Sequence, residues 1–335
     1  MDGKIVLYMH QTIEKILRMA LDAPSAHNSQ PWKFFLTDNI LTIFLENSRR
    51  LPVSDPKDRQ SLISIGCVTK AISLAADYHG YSSEIEYSTV ASKNSWIARI
   101  AMLEKTGAGN TLPKDHLATL LSQRTTNRFP YLKKEIPVSF IEQIQSLSTE
   151  HITLEIVTNE ANILKIAQTA LDAMIAMMDR SDFRHELSQY VKSNISKSKI
   201  GIPAYGMGIS TVLSLAVPFL VRNLNMAKLS KRKDWDLLAK RTPAYLVIAT
   251  KSDDAFPWIK VGELYLHVAL LASRHGLSNA PWTAPIEIDS FRKELQDTVN
   301  SAFYPQLLAR VGFSSRNARR SPRLSLREVL QIVEN

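Results

Sequence analysis

Four polar side chains, Ser25, His27, Asn28 and Gln30, fall in the stretch LDAPSAHNSQPWKF, flanked by Pro24 and Pro31 and leading into Trp32. A polar turn after a helix uses prolines, serines and asparagines in this way. So many donors and acceptors beside one aromatic also suit a loop that touches a ligand. A second set is compact: Arg124, Thr125, Thr126, Asn127 and Arg128 place two guanidinium groups, two hydroxyls and an amide within five residues. Arginine binds phosphate bidentately and hydroxyls add short hydrogen bonds, so the set suits a phosphate plus a second acceptor group. Read alone, a solvated basic helix end has the same composition. A third set, Arg316, Arg319, Arg320 and Arg323 in SSRNARRSPRLSLREVL, reads equally well as a basic tail.

Other chemistry is poorly represented. There is no GxGxxG and no phosphate-loop lysine motif, so a Rossmann nucleotide site lacks its fingerprint. No GxSxG elbow supports a serine hydrolase. The eight histidines are scattered, without metal-ligand spacing to carboxylates. With no nucleophile, metal set or acid–base pair in view, an organic cofactor would have to carry any reaction.

The elements that would position these groups follow from periodicity. Ile13, Ile16, Leu17, Ala20 and Leu21 form one face of a helix that stops at Pro24. WKFFLT and ILTIFLE flank Asp38-Asn39 as a hairpin. A long helix runs from after Asp55-Pro56 to Gly80, and segments 84–90 and 96–103 are strand-like. A helix from Pro113 to about Gln123, a short helix after Pro137 and the strand ITLEIVT follow. Helices are expected over 160–180 and 183–194, and a strand over 243–250.

A repeat is visible within this order. IGCVTKAISLAADYHGYS, 65–82, has a counterpart in VGELYLHVALLASRHGLS, 261–278, pairing Gly66 with Gly262 and Gly80 with Gly276. Gly80 and Gly276 suit helix C-termini in the left-handed conformation. A tandem duplication of one α+β unit explains the pattern better than chance. The repeat is unequal, since APSAHNSQPW occurs only in the first half and RTTNR only in the second.

At 335 residues the chain can hold one large domain or two smaller ones around a buried core. The formal net charge of +9 points to nucleic acid, an anionic membrane or an anionic small ligand. Nucleic acid fits poorly, because the arginines fall at motif positions rather than along one stripe. Cys67 is the single cysteine, which excludes an intrachain disulfide and a thiolate zinc site and fits a reducing cytoplasm. Beside Gly66 in an apolar helix it reads as a buried structural thiol. The start of the sequence does not read as a secretory signal. Residues 205–221, YGMGISTVLSLAVPFLV, read as a buried helix or an apolar cover over a site; an interfacial membrane helix is the less favoured alternative.

APSAHNSQPW resembles the flavin loop of the nitroreductase superfamily, and RTTNR its opening Arg-x-Ser-x-Lys/Arg element with Thr126 in the place of Ser. GLSNAPW, 276–282, resembles the loop that lies beside the flavin ring, and RRSPRLSLREV the terminal phosphate-binding arm. With DPKDRQSLISIG and YPQLLARVGF, the order resembles the Acg-like tandem branch, over most of the chain except about 183–235. The resemblance implies an α+β, three-layer nitroreductase-like fold. Its two tandem halves, 1–110 and 111–335, would each carry a mainly antiparallel sheet flanked by helices, packed as an intrachain pseudo-dimer through helices near 60–80 and 258–276. It implies one FMN per chain between the halves, in a monomer or a higher oligomer. Arg124 and Thr126 would hold the phosphate or ribityl end, and Arg319 or Arg320 the phosphate from the other side. Arg128 would lie at the pyrimidine end, with Ser25, His27 and Asn28 against the flavin from the first half. Gln30 and Asn127 complete the two motifs, Trp32 anchors the loop, and the backbone of Ala280, Pro281 and Trp282 would line the ring edge. The activity implied is hydride transfer from NAD(P)H through FMN to a nitroaromatic, quinone or similar electrophile. The alternative is an FMN-sequestering protein with little turnover, since segment 195–235 matches no substrate pocket.

Overall fold

The computed structural model describes residues 3–88, 95–105 and 115–333, with side chains from residue 11 onward. The expected boundary between halves at 110/111 lies outside the described residues, as do the ends of the expected elements at 89–90 and 113–114.

Helix α1 (Gly3–Ala20) buries Ile13, Ile16, Leu17 and Ala20 completely, the face that its spacing marks out. The hairpin β1 (Trp32–Thr37) and β2 (Ile40–Leu45) turns at Asp38, which takes a positive φ of 53°. Helix α2 (Arg59–Tyr78) leads into β3 (Tyr81–Tyr87), which starts at the buried Tyr81, and β4 (Trp96–Glu104). The expected helix before Gln123 is, in its described part, one 3₁₀ turn over Leu117–Leu120, opened by the His116 Nδ1 accepting from the Ala118 N–H. Then come α3 (Val138–Gln145), β5 (Ile152–Val157), α4 (Glu160–Asp179) and α5 (Ser181–Tyr190). The expected 183–194 helix ends early because the chain straightens into β6 (Val191–Lys192), paired in parallel with β7 (Ile202–Pro203).

Residues 205–221 are not one buried helix. Gly208, at φ +74, ends a 3₁₀ turn over Ala204–Met207. Three short helices follow: α6 (Thr211–Ser214), α7 (Val217–Asn223) and α8 (Met226–Trp235). Val212, Leu213, Leu215 and Phe219 stay largely exposed. The chain continues through β8 (Ala244–Thr250), α9 (Ala255–Arg274), β9 (Ser278–Pro281), α10 (Ala284–Glu287), α11 (Asp289–Thr298), β10 (Tyr304–Gly312), α12 (Leu326–Val329) and β11 (Leu330–Ile332).

The protein is an α+β molecule with two main sheets. One has the order β11-β1-β2-β4-β3 and is antiparallel except where β11 joins β1, Leu330 beside Phe34. The other, β5-β8-β10-β9, is antiparallel throughout. One continuous apolar cluster takes in Phe34, Ile43 and Ile100 from the first sheet, Leu154, Leu246 and Leu307 from the second, and the inner faces of α2 and α9.

The two long helices meet backbone to backbone. A Cβ on Gly66 would stand 1.9 Å from the Ile259 carbonyl oxygen, and a Cβ on Gly262 1.9 Å from that of Ile63. The contact is reciprocal, each glycine facing the carbonyl three residues before the other. Only a residue with no side chain lets the axes come this close. Gly80 and Gly276, just past the two helix ends, both adopt positive φ, +81 and +70. Cys67 is buried on the same interface, its thiol donating to the Gly262 carbonyl at 3.2 Å, and burial pushes its pKa up to about 12.

Candidate functional site

The loop after α1 is wound tightly. His27, Asn28 and Gln30 all have φ near +50°, a region that side chains other than asparagine or aspartate rarely occupy. Hydrogen bonds hold it there. Ser25 Oγ accepts from the Gln30 N–H at 2.9 Å, and Ser64 Oγ, in the first turns of α2, accepts from the Ala26 N–H at 3.1 Å. Asn28 Nδ2 donates to the carbonyls of Pro322 and Gly201, at 2.9 and 3.1 Å. Gln30 is fully buried; its Oε1 accepts from the Leu324 N–H at 2.8 Å and its Nε2 donates to the Lys199 carbonyl at 2.8 Å. The loop is therefore the knot that ties the C-terminal arm and segment 199–201 to the first sheet. Trp32, fully buried, anchors its far end.

The second wall is RTTNR. Thr126 bridges Asn279, and the Asn127 N–H donates to the Asn279 carbonyl at 3.0 Å, which fixes the segment against the start of β9. Asn127 is itself buried, donating to the Arg316 carbonyl at 2.8 Å, so it positions the arm. The third wall is that arm. Arg319 stacks on Tyr205, 4.5 Å from the ring centroid, while the Tyr205 hydroxyl donates to the Arg320 carbonyl at 2.9 Å. Arg320 pairs with Asp22, and Arg323 Nη1 donates to Asn28 Oδ1 at 2.7 Å.

These walls enclose a cavity of about 40 Å³ bordered by Ser25, Asn28, Arg124, Thr126, Arg128, Arg319, Arg320 and Arg323. Five guanidinium groups converge there, and Asp22 supplies the carboxylate bonded to one of them, Arg320. Arg124 is 3% exposed, and its Nε and Nη1 have no partner among the described residues; nor has Nε of Arg323. A buried N–H left unmade costs the desolvation of its group, on the order of 1–3 kcal/mol and more when charged. Desolvation first, then the neighbouring Arg124 cation, draws the Arg323 guanidinium down to about 9. Burial likewise lowers Arg124 and Arg128 from the usual arginine range. The arrangement is a built anion site.

Of the residues singled out in the sequence, Ser25, Asn28, Arg124, Thr126, Arg128, Arg319 and Arg320 border this cavity. His27, Gln30, Asn127, Ala280, Pro281 and Trp282 do not. His27 turns its ring toward Tyr190, 5.9 Å between centroids, and burial holds its pKa down to about 4. Ala280 pairs with the buried Arg310 across β9–β10, and Trp282 Nε1 donates to the Ala170 carbonyl of α4, on the far side of the second sheet. Arg323, Ile202 and Gly206 border the cavity without having been singled out for it. Arg323 stands three residues after Arg320 in an evidently basic arm, a signal that was available; Ile202 and Gly206 lie in a stretch with no motif.

The comparisons with known proteins bear on this geometry. A Mycobacterium tuberculosis (strain H37Rv) protein named "Putative NAD(P)H nitroreductase Rv3131" is 26% identical over 334 residues, 97% of this chain and 91% of its own length. From the same organism, "Putative NAD(P)H nitroreductase acg" is 24% identical over 305 residues, 90% of this chain and 89% of that one. Both likenesses extend over nine-tenths or more of this chain. Over most of its length the chain is similar to these proteins named as nitroreductases. No family model matches the sequence. Among solved structures, the Mycobacterium smegmatis FMN-dependent nitroreductase NfnB in complex with NADPH is 14% identical, covers 64% of this chain and 96% of its own, and superposes with a TM-score of 0.42. A Bacteroides fragilis nitroreductase with bound FMN is 11% identical over 66% and 100% of the two chains, with a TM-score of 0.40. Superpositions at that level add nothing to the likeness, which lies in the two relatives aligned over most of the chain.

For this chain the fit of a flavin mononucleotide is uneven. The arginine-lined cavity matches a phosphate: it has room for about three water-sized groups, against roughly 300–1,000 Å³ for a pocket that encloses a whole organic ligand. Ile202 and Gly206, from the segment that matches no substrate pocket, also border it.

Proposed function

We propose that the protein is an FMN-dependent oxidoreductase of the nitroreductase type, taking hydride from NAD(P)H and delivering it to a nitroaromatic, quinone or similar electrophile. Bound flavin supplies the hydride chemistry. The observation that carries the reading is the buried Arg124, with Nε and Nη1 unpartnered among the described residues, bordering a five-arginine cavity. Arg124, Thr126 and the arm residues Arg319 and Arg320 would hold the phosphate. Arg128 would face the pyrimidine end, where a cation favours the reduced, anionic ring. Ser25 and Asn28 would approach from the first half. Two halves, 1–110 and 111–335, would then form one intrachain pseudo-dimer with one site; the reciprocal Gly66–Gly262 contact and the split origin of the cavity walls support this.

The test is direct. The purified protein should be yellow, or turn yellow on adding FMN, and NADPH without oxygen should bleach the flavin band. A bidentate arginine–phosphate contact contributes about 1.5–3 kcal/mol. Arg124→Ala should therefore weaken FMN binding roughly ten- to a hundredfold while barely affecting riboflavin, which has no phosphate. Equal losses for both ligands would sink the phosphate assignment.

One observation favours a second reading. Ile202 and Gly206 border the cavity, and a flavin that this segment covered would be stored rather than turned over. A yellow protein that NADPH leaves unbleached is the expected result for a sequestering role.

A further inference from the structure

The segment between Glu186 and Asp234 contains no acidic residue and eight basic ones: Lys192, Lys197, Lys199, Arg222, Lys228, Lys231, Arg232 and Lys233. The whole chain carries +9, so this stretch alone accounts for +8 and all the rest for +1. The same stretch is where large apolar side chains are most exposed. Val212 is 79% exposed, Leu213 66%, Leu215 57%, Phe219 69% and Leu229 69%.

Folding does not force this exposure. α7 turns Val217 and Val221 into the apolar cluster it shares with α4 and α5, and α8 turns Ala227 into the same cluster, so each helix already has a buried face. What remains outside is a second apolar face on α6 and α7, uninterrupted by charge from Ile200 to Val221, followed by the basic outer face of α8. A soluble chain has no use for clustered, exposed Leu and Phe side chains, which mark a surface that meets something.

We propose that α6–α8 form a docking surface for an anionic lipid bilayer, with Val212, Leu213, Leu215 and Phe219 entering the interface and Arg222, Lys231, Arg232 and Lys233 meeting the headgroups. The combination decides between occupants. An apolar face edged with basic residues is the pattern of a helix lying in the plane of an anionic interface, where apolar burial and headgroup attraction add. A second copy of the chain would bring its own +8 segment to the same place, and a symmetric contact would set like charges against each other. No helix among the described residues is long and apolar enough to cross a membrane, so the attachment is peripheral. The inference is independent of the flavin reading, because none of these residues borders the arginine cavity.

The test is cosedimentation of the full-length protein with vesicles of phosphatidylcholine alone and of phosphatidylcholine with about one-third phosphatidylserine. Binding should be at least tenfold stronger to the anionic vesicles and be released by ~0.5 M salt, where the Debye length shrinks to a few ångströms. The double variant Leu213→Asp/Phe219→Asp and the triple variant Lys231→Glu/Arg232→Glu/Lys233→Glu should each lose at least tenfold. All five side chains point outward, so both variants should keep the circular dichroism of the parent. The proposal is overturned by equal binding to both kinds of vesicle, by no binding to either, or by variants that bind like the parent. It is also overturned if the surface proves to join two copies, seen as concentration-dependent association in sedimentation velocity that Phe219→Asp abolishes.

Discussion

Two basic regions of this molecule carry similar charge and treat it in opposite ways. Around the cavity every cation is an arginine: Arg124 is buried and Arg128 and Arg323 half-buried, with N–H groups left over on Arg124 and Arg323, while the more exposed Arg319 and Arg320 are held by Tyr205 and Asp22. On α8 the cations are mostly lysines and all are exposed, Lys228 pairing with Asp179. A guanidinium fixed in place and stripped of water loses little on meeting an anion, because its ordering and desolvation already belong to the fold. A solvated lysine offers long-range attraction without geometry. The first arrangement selects one small anion; the second suits a diffuse, fluid one.

The most damaging change lies at the α2–α9 contact, where two backbones meet. Gly66→Ala should cost about 3 kcal/mol or more in urea unfolding, because its methyl would meet a carbonyl oxygen of the opposing backbone, which cannot swing aside. Gly262→Ala should match it, and unequal losses would deny that the contact is reciprocal. Next, Arg124→Met should separate the two basic regions. Flavin-free protein should gain about 1–3 kcal/mol of stability, since a buried, under-bonded charge is removed, and FMN binding should collapse. A flavin-free variant no more stable than its parent would mean that the orphaned N–H groups cost nothing.

The pH profile should give the third effect. The His27 pKa is about 4 in the fold against 6.5 when unperturbed. The unfolded chain therefore takes up the proton first, and stability falls as the pH drops from about 6.5 towards 4, by at most about 3 kcal/mol. His27→Asn, which tolerates the left-handed backbone, should lose that part of the slope; an unchanged slope would place the titrating group elsewhere. The smallest effect is Lys231→Ala, which should change stability by less than about 0.5 kcal/mol, as exposed surface substitutions do.

The sequence was legible where local chemistry and tertiary role agree. The face Ile13, Ile16, Leu17 and Ala20, the Asp38-Asn39 hairpin, and the glycines 66, 80, 262 and 276 each state a physical requirement that the structure meets. Arg124, Arg128, Arg319 and Arg320 converge although they come from segments some two hundred residues apart, a convergence implied by family resemblance rather than by any periodicity. Residues 205–221 misled because hydrophobicity was read as burial, whereas Gly208 and Pro218 break the run into pieces too short to hide both faces. Trp282 does not border the cavity. Its chain neighbour Pro281 is the last residue of β9, and past it the indole follows the strand's alternation to the other side of the sheet.

The parallel pairing of β11 with β1 sets a condition on biogenesis. Phe34 leaves the ribosome 296 residues before its partner Leu330. The arm that bears Arg319, Arg320 and Arg323 is pinned between β10 in one sheet and β11 in the other. A nascent chain can therefore pair α2 with α9 and still possess only two walls of its cavity. The third is added only once the arm through Leu324 has emerged and can meet Asn28, Gln30, Tyr205 and Asp22, so completing the cavity is among the last events of synthesis.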